Sequence, residues 1–139
     1  GTEEIFSDDP HVLMVGIFQH PFYPYCGTED PAPNMCNVPL PAGTRGDEFR
    51  QVVSDIWFPR LREFRPEMIF ISAGFDAHYE DDMASLALVE ADYAWVTEQI
   101  KQLAGEFAKG RIVSLLEGGY ALSALARSVV AHIKVLADL

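Results

Sequence analysis

The sequence is short of cysteine, short of positive charge and without a long hydrophobic run, and each shortage removes a class of protein. Two cysteines, Cys26 and Cys36, cannot make a disulfide framework, so they read as free thiols in a reducing cytoplasm. Ten Lys and Arg stand against 21 Asp and Glu, giving a net charge of -11 with no basic run to offset it. That balance argues against binding a phosphate backbone, so nucleic acid is not an expected partner. No apolar segment reaches the roughly 20 residues that a membrane span needs, and no signal-peptide pattern opens the chain. A membrane is therefore not an expected partner. Methionine is also missing from the start: none precedes Met14, so Gly1 reads as a processed start or as part of something longer.

What is present describes one globular domain over residues 1–139. Hydrophobic residues make up 49% and aromatics 12%, enough for a single core at this length. Met68 to Ile71 is an unbroken apolar run between Pro66 and Gly74, too short for a helix, and reads as a buried parallel strand. Asp76 stands just past its end. In open parallel sheets, ligands bind outside the carboxyl ends of the strands, so a carboxylate there is placed to hold a metal or a substrate, or simply to cap the turn.

In chain order, Thr2 caps a short helical turn that begins with Glu3 and Glu4, and Asp8, Asp9 and Pro10 break it. Val12 to Phe18 is a second buried strand. Gln19 to Thr44 holds six prolines in 26 residues, so it cannot be regular throughout and reads as a long functional or wrapping loop. Asp47 to Phe64 has helical spacing, with Pro59 kinking or dividing it. Glu90 to Phe107 is a helix closed by Gly110, Arg111 to Leu116 a third strand, and a last helix is capped by Ser123. Strands alternating with helices predict an α/β fold, a mostly parallel sheet covered on both faces as a three-layer sandwich. The third strand ends in Glu117-Gly118-Gly119-Tyr120. If it neighbours the strand ending at Asp76, both ends face one crevice. Gly118 and Gly119 let the backbone approach a ligand, and the Tyr120 phenol can hydrogen-bond an oxyanion; the same residues also spell an ordinary turn.

Ser72-Ala73-Gly74-Phe75-Asp76-Ala77-His78 followed by Glu117-Gly118-Gly119-Tyr120 resembles the zinc-dependent histone deacetylase family, especially its bacterial deacetylase-like and acetylpolyamine amidohydrolase members. Asn37-Val38-Pro39-Leu40-Pro41 and Phe64-Arg65-Pro66 fit the same pattern, and the similarity covers essentially the whole chain. The resemblance implies the C-terminal half of the arginase/deacetylase fold. It implies Asp76 as a zinc ligand and Tyr120 as the residue that polarises the acetyl carbonyl. It implies Met83 at the rim of an acyl-lysine tunnel and Tyr23 on its wall, although Tyr25 and Cys26 interrupt the usual Pro-Gly-Thr-Gly. Backbone oxygens of Phe6, Asp9 and Val12 are implied as ligands of a structural K+. His78 is common in the motif without being a ligand, and Asp81-Asp82-Met83 departs from the usual Asp-Pro-Leu or Asp-Pro-Met.

The family also holds zinc through an Asp-x-His pair and activates water with a His-His pair, and neither is found before Asp76. His11, His20 and His132 have no spacing that rebuilds the set. The expectation is part of a deacetylase acting on an acetylated amine, acetyl-lysine or acetylpolyamine, inactive as this chain alone. The alternative is a non-catalytic binding or oligomerising module. The implied zinc-ligand strand would lie between the two apolar strands, leaving a gap in the sheet. That gap predicts a homo-oligomer, most simply a symmetric homodimer, with closure by a shifted first strand as the alternative.

Overall fold

The computed structural model describes residues 1–139 apart from Pro24, Gly27 and Asp30. Helix α1 covers Thr2–Phe6, with Glu3 and Glu4 in its first turn. Gly1 is its cap and no side chain bonds there, so Thr2 is the first helical residue and not the cap expected of it. Strand β1, Met14–Gln19, pairs in parallel with β2, Met35–Leu40, from Met14 against Met35 to Gln19 against Leu40. Strand β2 lies inside the proline-rich stretch, where no strand was foreseen. Pro39 is tolerated because, among the described residues, β2 pairs with β1 alone, so a missing N–H on its other edge breaks no ladder. The long connection from β1 is what a parallel pair requires.

From Gly46 to Phe64 the helical pattern is continuous, but its pitch changes. Helix α2 is Gly46–Val52, a π-helical turn follows over Val53–Trp57, and α3 is Phe58–Phe64. Pro59 has no N–H to give the preceding turn and its ring crowds the carbonyl four residues back, so the backbone widens just ahead of it. The kink expected from Pro59 takes this form. Arg65, at φ 55, ends α3 immediately before Pro66.

Strand β3, Ile69–Ala73, pairs in parallel with β4, Ile112–Leu116. Helix α4 is Glu90–Phe107, its first free N–H group, on Val89, bonded to the Asp92 carboxylate at 2.9 Å. Gly110, at φ 74, closes it by donating to the Ala104 carbonyl. Helix α5, Leu122–Leu136, follows β4. Its cap is Ala121; Ser123, expected to cap, lies within the first turn and accepts a hydrogen bond from Arg127 Nη1 at 2.6 Å.

Phe49, Val53, Ala73, Phe75, Leu88 and Tyr93 form the core, with Ile17, Ile71, Val96, Leu125 and Val129 packed against it. His132 is buried between α4 and β4, within 2.8 Å of both Thr97 Oγ1 and Ser114 Oγ. Because the Thr97 hydroxyl already donates to the Tyr93 carbonyl, it accepts from His132 Nδ1–H, which leaves Nε2 to accept from Ser114. Parallel strands are present as expected, but the four among the described residues form two separate pairs, β1–β2 and β3–β4. Nor are both faces covered: Phe70 and Leu115, on the side of β3–β4 away from the core, are 65% and 54% exposed.

Gly46 illustrates how tightly α2 meets α4. A Cβ there would lie 2.2 Å from Asp92 Oδ1, and Asp92 is buried while holding both the Val89 N–H and Arg50 Nε. Gly46→Ala is expected to lower stability by about 2 kcal/mol despite alanine's better helix propensity. Urea unfolding measures it; an unchanged or higher midpoint would show that Asp92 moves aside freely.

Candidate functional site

The site begins where the ladder between β3 and β4 runs past the strands. Glu117 N–H bonds the Ala73 carbonyl at 3.0 Å and Phe75 N–H bonds the Gly118 carbonyl at 2.8 Å. This extension carries Asp76 on one chain segment directly against Gly118 on the other. A Cβ at Gly118 would lie 2.8 Å from the Asp76 carboxylate, so the glycine is required for that approach. Gly119 is required for a different reason: its φ is 139, and a Cβ would strike Leu125 at 2.7 Å.

Asp76 is half-buried, and burial raises its pKa above the ordinary carboxylate value. The negative charges of Asp81 and Glu117 add to the rise, against a backbone hydrogen bond that lowers it. A carboxylate so placed gains from an arriving cation.

Asp81 fixes Tyr120. It is 3% exposed, and its Oδ2 accepts the N–H groups of Tyr120 at 2.7 Å and Ala121 at 3.1 Å, while Oδ1 accepts the Met83 N–H at 3.0 Å. Burial works against its ionisation, but the three donors outweigh it and hold its carboxyl below the ordinary range. The sequence showed Asp81 only as the first residue of Asp81-Asp82-Met83; nothing in its local spelling points to a partner 39 residues away. Tyr120 itself is 58% exposed, its ring free to meet a ligand. Met83, on the same Asp81-held loop, is also exposed.

Thus Asp76, Gly118, Gly119, Tyr120 and Met83 belong to one cluster of loops. Tyr23 does not join them through any hydrogen bond or ring contact among the described residues; it sits exposed on the long connection between β1 and β2. Phe6, Asp9 and Val12 form a separate group. Their carbonyl oxygens converge as the resemblance implied, but on the side-chain nitrogen of Asn34, at 2.8, 3.0 and 3.0 Å.

Two metal readings can be tested on these residues. Among the described residues, the cluster of three possible donors is His78, Glu80 and Glu90, and Asp76 is not in it. A zinc ligand set is therefore not gathered around Asp76. The His78 cluster does not suit a metal either. His78 Nδ1 accepts the Glu80 N–H at 3.1 Å, so neutral imidazole keeps its proton on Nε2, which lies 3.3 Å from Glu90 Oε2. Arg127 pairs with both carboxylates and pulls the Glu90 carboxyl down to about 2. Arg127 of α5 thus joins Glu80, on the loop of the fully buried His78, to Glu90 at the start of α4.

The sequence model of the histone deacetylase domain matches residues 1–136. A probable deacetylase of Archaeoglobus fulgidus is 39% identical over 128 residues, which are 88% of this chain and 36% of that protein. The chloroplastic histone deacetylase 14 of Arabidopsis thaliana is 35% identical over 98% of this chain, again only 34% of its own length. Among solved structures, the HDA15 HD domain superposes with a TM-score of 0.90 at 30% identity, covering 99% of this chain and 40% of that one. The chain thus spans about a third of the length of these two curated relatives.

The raised pKa of Asp76 has a definite sign for stability. The native state is penalised once pH exceeds the unfolded carboxyl's value, and the penalty disappears in acid below it. Asp76→Asn, melted with a chelator present, is expected to raise the midpoint at pH 7 by about 2–4 °C, with the gain fading in acid. A lower midpoint at pH 7 would mean that Asp76 is a structural residue.

Proposed function

Because the chain belongs to the histone deacetylase family, we propose that it supplies two parts of a zinc-dependent site that hydrolyses acetyl-amides of lysine or a polyamine. The observation that carries this reading is the junction of Asp76 and the Tyr120 loop at neighbouring strand ends, locked by Asp81. Tyr120 donates its phenol hydrogen to the acetyl carbonyl oxygen as that oxygen gains negative charge. Gly118 and Gly119 keep the backbone low beside it. Met83 lies at the rim of the channel for the acylated side chain, and Tyr23 supplies its wall.

Asp76 is one carboxylate, and a catalytic zinc takes about three protein ligands plus water. Among the described residues, it belongs to no group of three donor side chains close enough to share an ion. The isolated chain therefore binds zinc weakly and turns over no acetyl-amide. An assay on a fluorogenic acetyl-lysine substrate with added zinc checks this. Turnover by the chain alone that Asp76→Ala abolishes would overturn it.

Where the remaining zinc ligands are supplied and activity is present, Tyr120→Phe is expected to lower kcat about 100-fold to 1000-fold with zinc affinity unchanged, the usual loss for one oxyanion donor. An unchanged rate removes Tyr120 from the mechanism.

The exposed side of β3–β4 favours a second property, self-association. Among the described residues each of the four strands has one partner, and Phe70, Val113 and Leu115 turn an apolar surface outward. Strand edges and apolar faces of this kind pair with another chain, and twofold symmetry closes the contact. Sedimentation at micromolar concentration is expected to give a dimer that Phe70→Glu dissociates; a clean monomer that binds no apolar dye would rule it out.

A further inference from the structure

Asn34, the residue before β2, makes an unusual set of contacts. Its Nδ2 donates towards the carbonyl oxygens of Phe6 at 2.8 Å, Asp9 at 3.0 Å and Val12 at 3.0 Å. Its Oδ1 accepts the Asp8 N–H at 3.1 Å, and its own carbonyl accepts the Met14 N–H at 2.9 Å. One residue thus fastens the end of α1 and the turn after it through its side chain, and the start of β1 through its carbonyl, to the start of β2. An amide NH2 has two hydrogens, yet three oxygens converge on this nitrogen. Such a cluster of carbonyl dipoles is the environment a bare cation would choose.

A cation held by those three oxygens would take the point where the nitrogen already lies, so the K+ implied by the family resemblance does not fit beside the Asn34 amide. We propose that Asn34 replaces the monovalent cation at this junction, and that the chain closes the α1–β1 connection with its own amide and folds without potassium. Both halves of the amide take part. The nitrogen supplies the positive end of a dipole to the carbonyls, and the oxygen bonds the Asp8 N–H, which a spherical ion cannot do. The position of Asp8 supports this role, since its φ of 66 turns that N–H in a left-handed bend that asparagine's oxygen then secures.

Thermal melting in potassium chloride and in choline chloride at equal ionic strength tests the replacement. The wild-type chain is expected to melt at the same temperature in both, to within about 1 °C. Asn34→Ala takes the shared donor from three carbonyls and the acceptor from the Asp8 N–H, so its midpoint is expected to fall by about 5 °C or more in choline. Potassium is then expected to restore part of that loss by entering the vacated space. A saturable potassium-specific rise for the wild type would overturn the proposal. So would an Asn34→Ala chain that melts no earlier, or one that potassium leaves unchanged, because either makes Asn34 an ordinary surface contact. Should Asn34→Ala fail to fold, the wild-type comparison of the two salts still decides.

Discussion

Everything the candidate site can do depends on the Asp81 carboxylate. It binds the turn after β3 through Met83 and the turn after β4 through Tyr120 and Ala121. A buried carboxylate is costly unless hydrogen-bonded, and bonds from backbone N–H groups to an ionised acceptor are about twice as strong as neutral ones. Here three of them tip the balance, and the start of α5 adds the favourable end of a helix dipole. Tyr120 gains its position from this carboxylate and not from packing, since its own ring is largely in solvent. The contribution is present at neutral pH and is lost only when acid protonates Asp81 below the ordinary carboxylate range.

The parts of this arrangement legible in the sequence were those governed by short-range rules. Helix α4 appears at the bounds its apolar spacing predicts, and β3 and β4 within two residues of theirs. Their neighbouring position follows from the handedness and economy of crossover connections, and it brings Asp76 to Gly118. What could not be read depends on partners distant in the chain. Strand β2 hides among prolines because an edge strand tolerates a missing donor, a fact fixed by its neighbour and not by its composition. Ser123 has the residue type of a cap, yet helix α5 starts at Leu122 and its side chain serves Arg127 instead. Asp81 and Asn34 each join segments distant in the chain, and both read locally as ordinary loop residues.

The two parallel pairs also show which forces dominate at the surface. Parallel strands ordinarily have both faces covered, because their crossovers lay helices on each side. Helices α4 and α5 bury Ile71 and Ala73 on one side of β3–β4, while Phe70 and Leu115 remain open on the other. A net charge of -11 repels a second copy, but salt screens exposed charges beyond about 10 Å, whereas apolar contact loses nothing to salt. Apolar burial is therefore the stronger term at close range, and charge acts mainly on the approach.

Asp76 marks the opposite choice. Gly118 and Gly119 give up side chains and accept backbone freedom so that a carboxylate can sit half-buried beside two other acids. None of this helps the chain fold. Asp81, equally acidic and more deeply buried, is stabilised by three backbone donors, while Asp76 is left with its charge disfavoured. The contrast between two carboxylates so close in sequence separates their roles. Asp81 has its partners within the chain and is structural. Asp76 has no such set of donors, and its half-buried charge is of the kind that an arriving cation relieves.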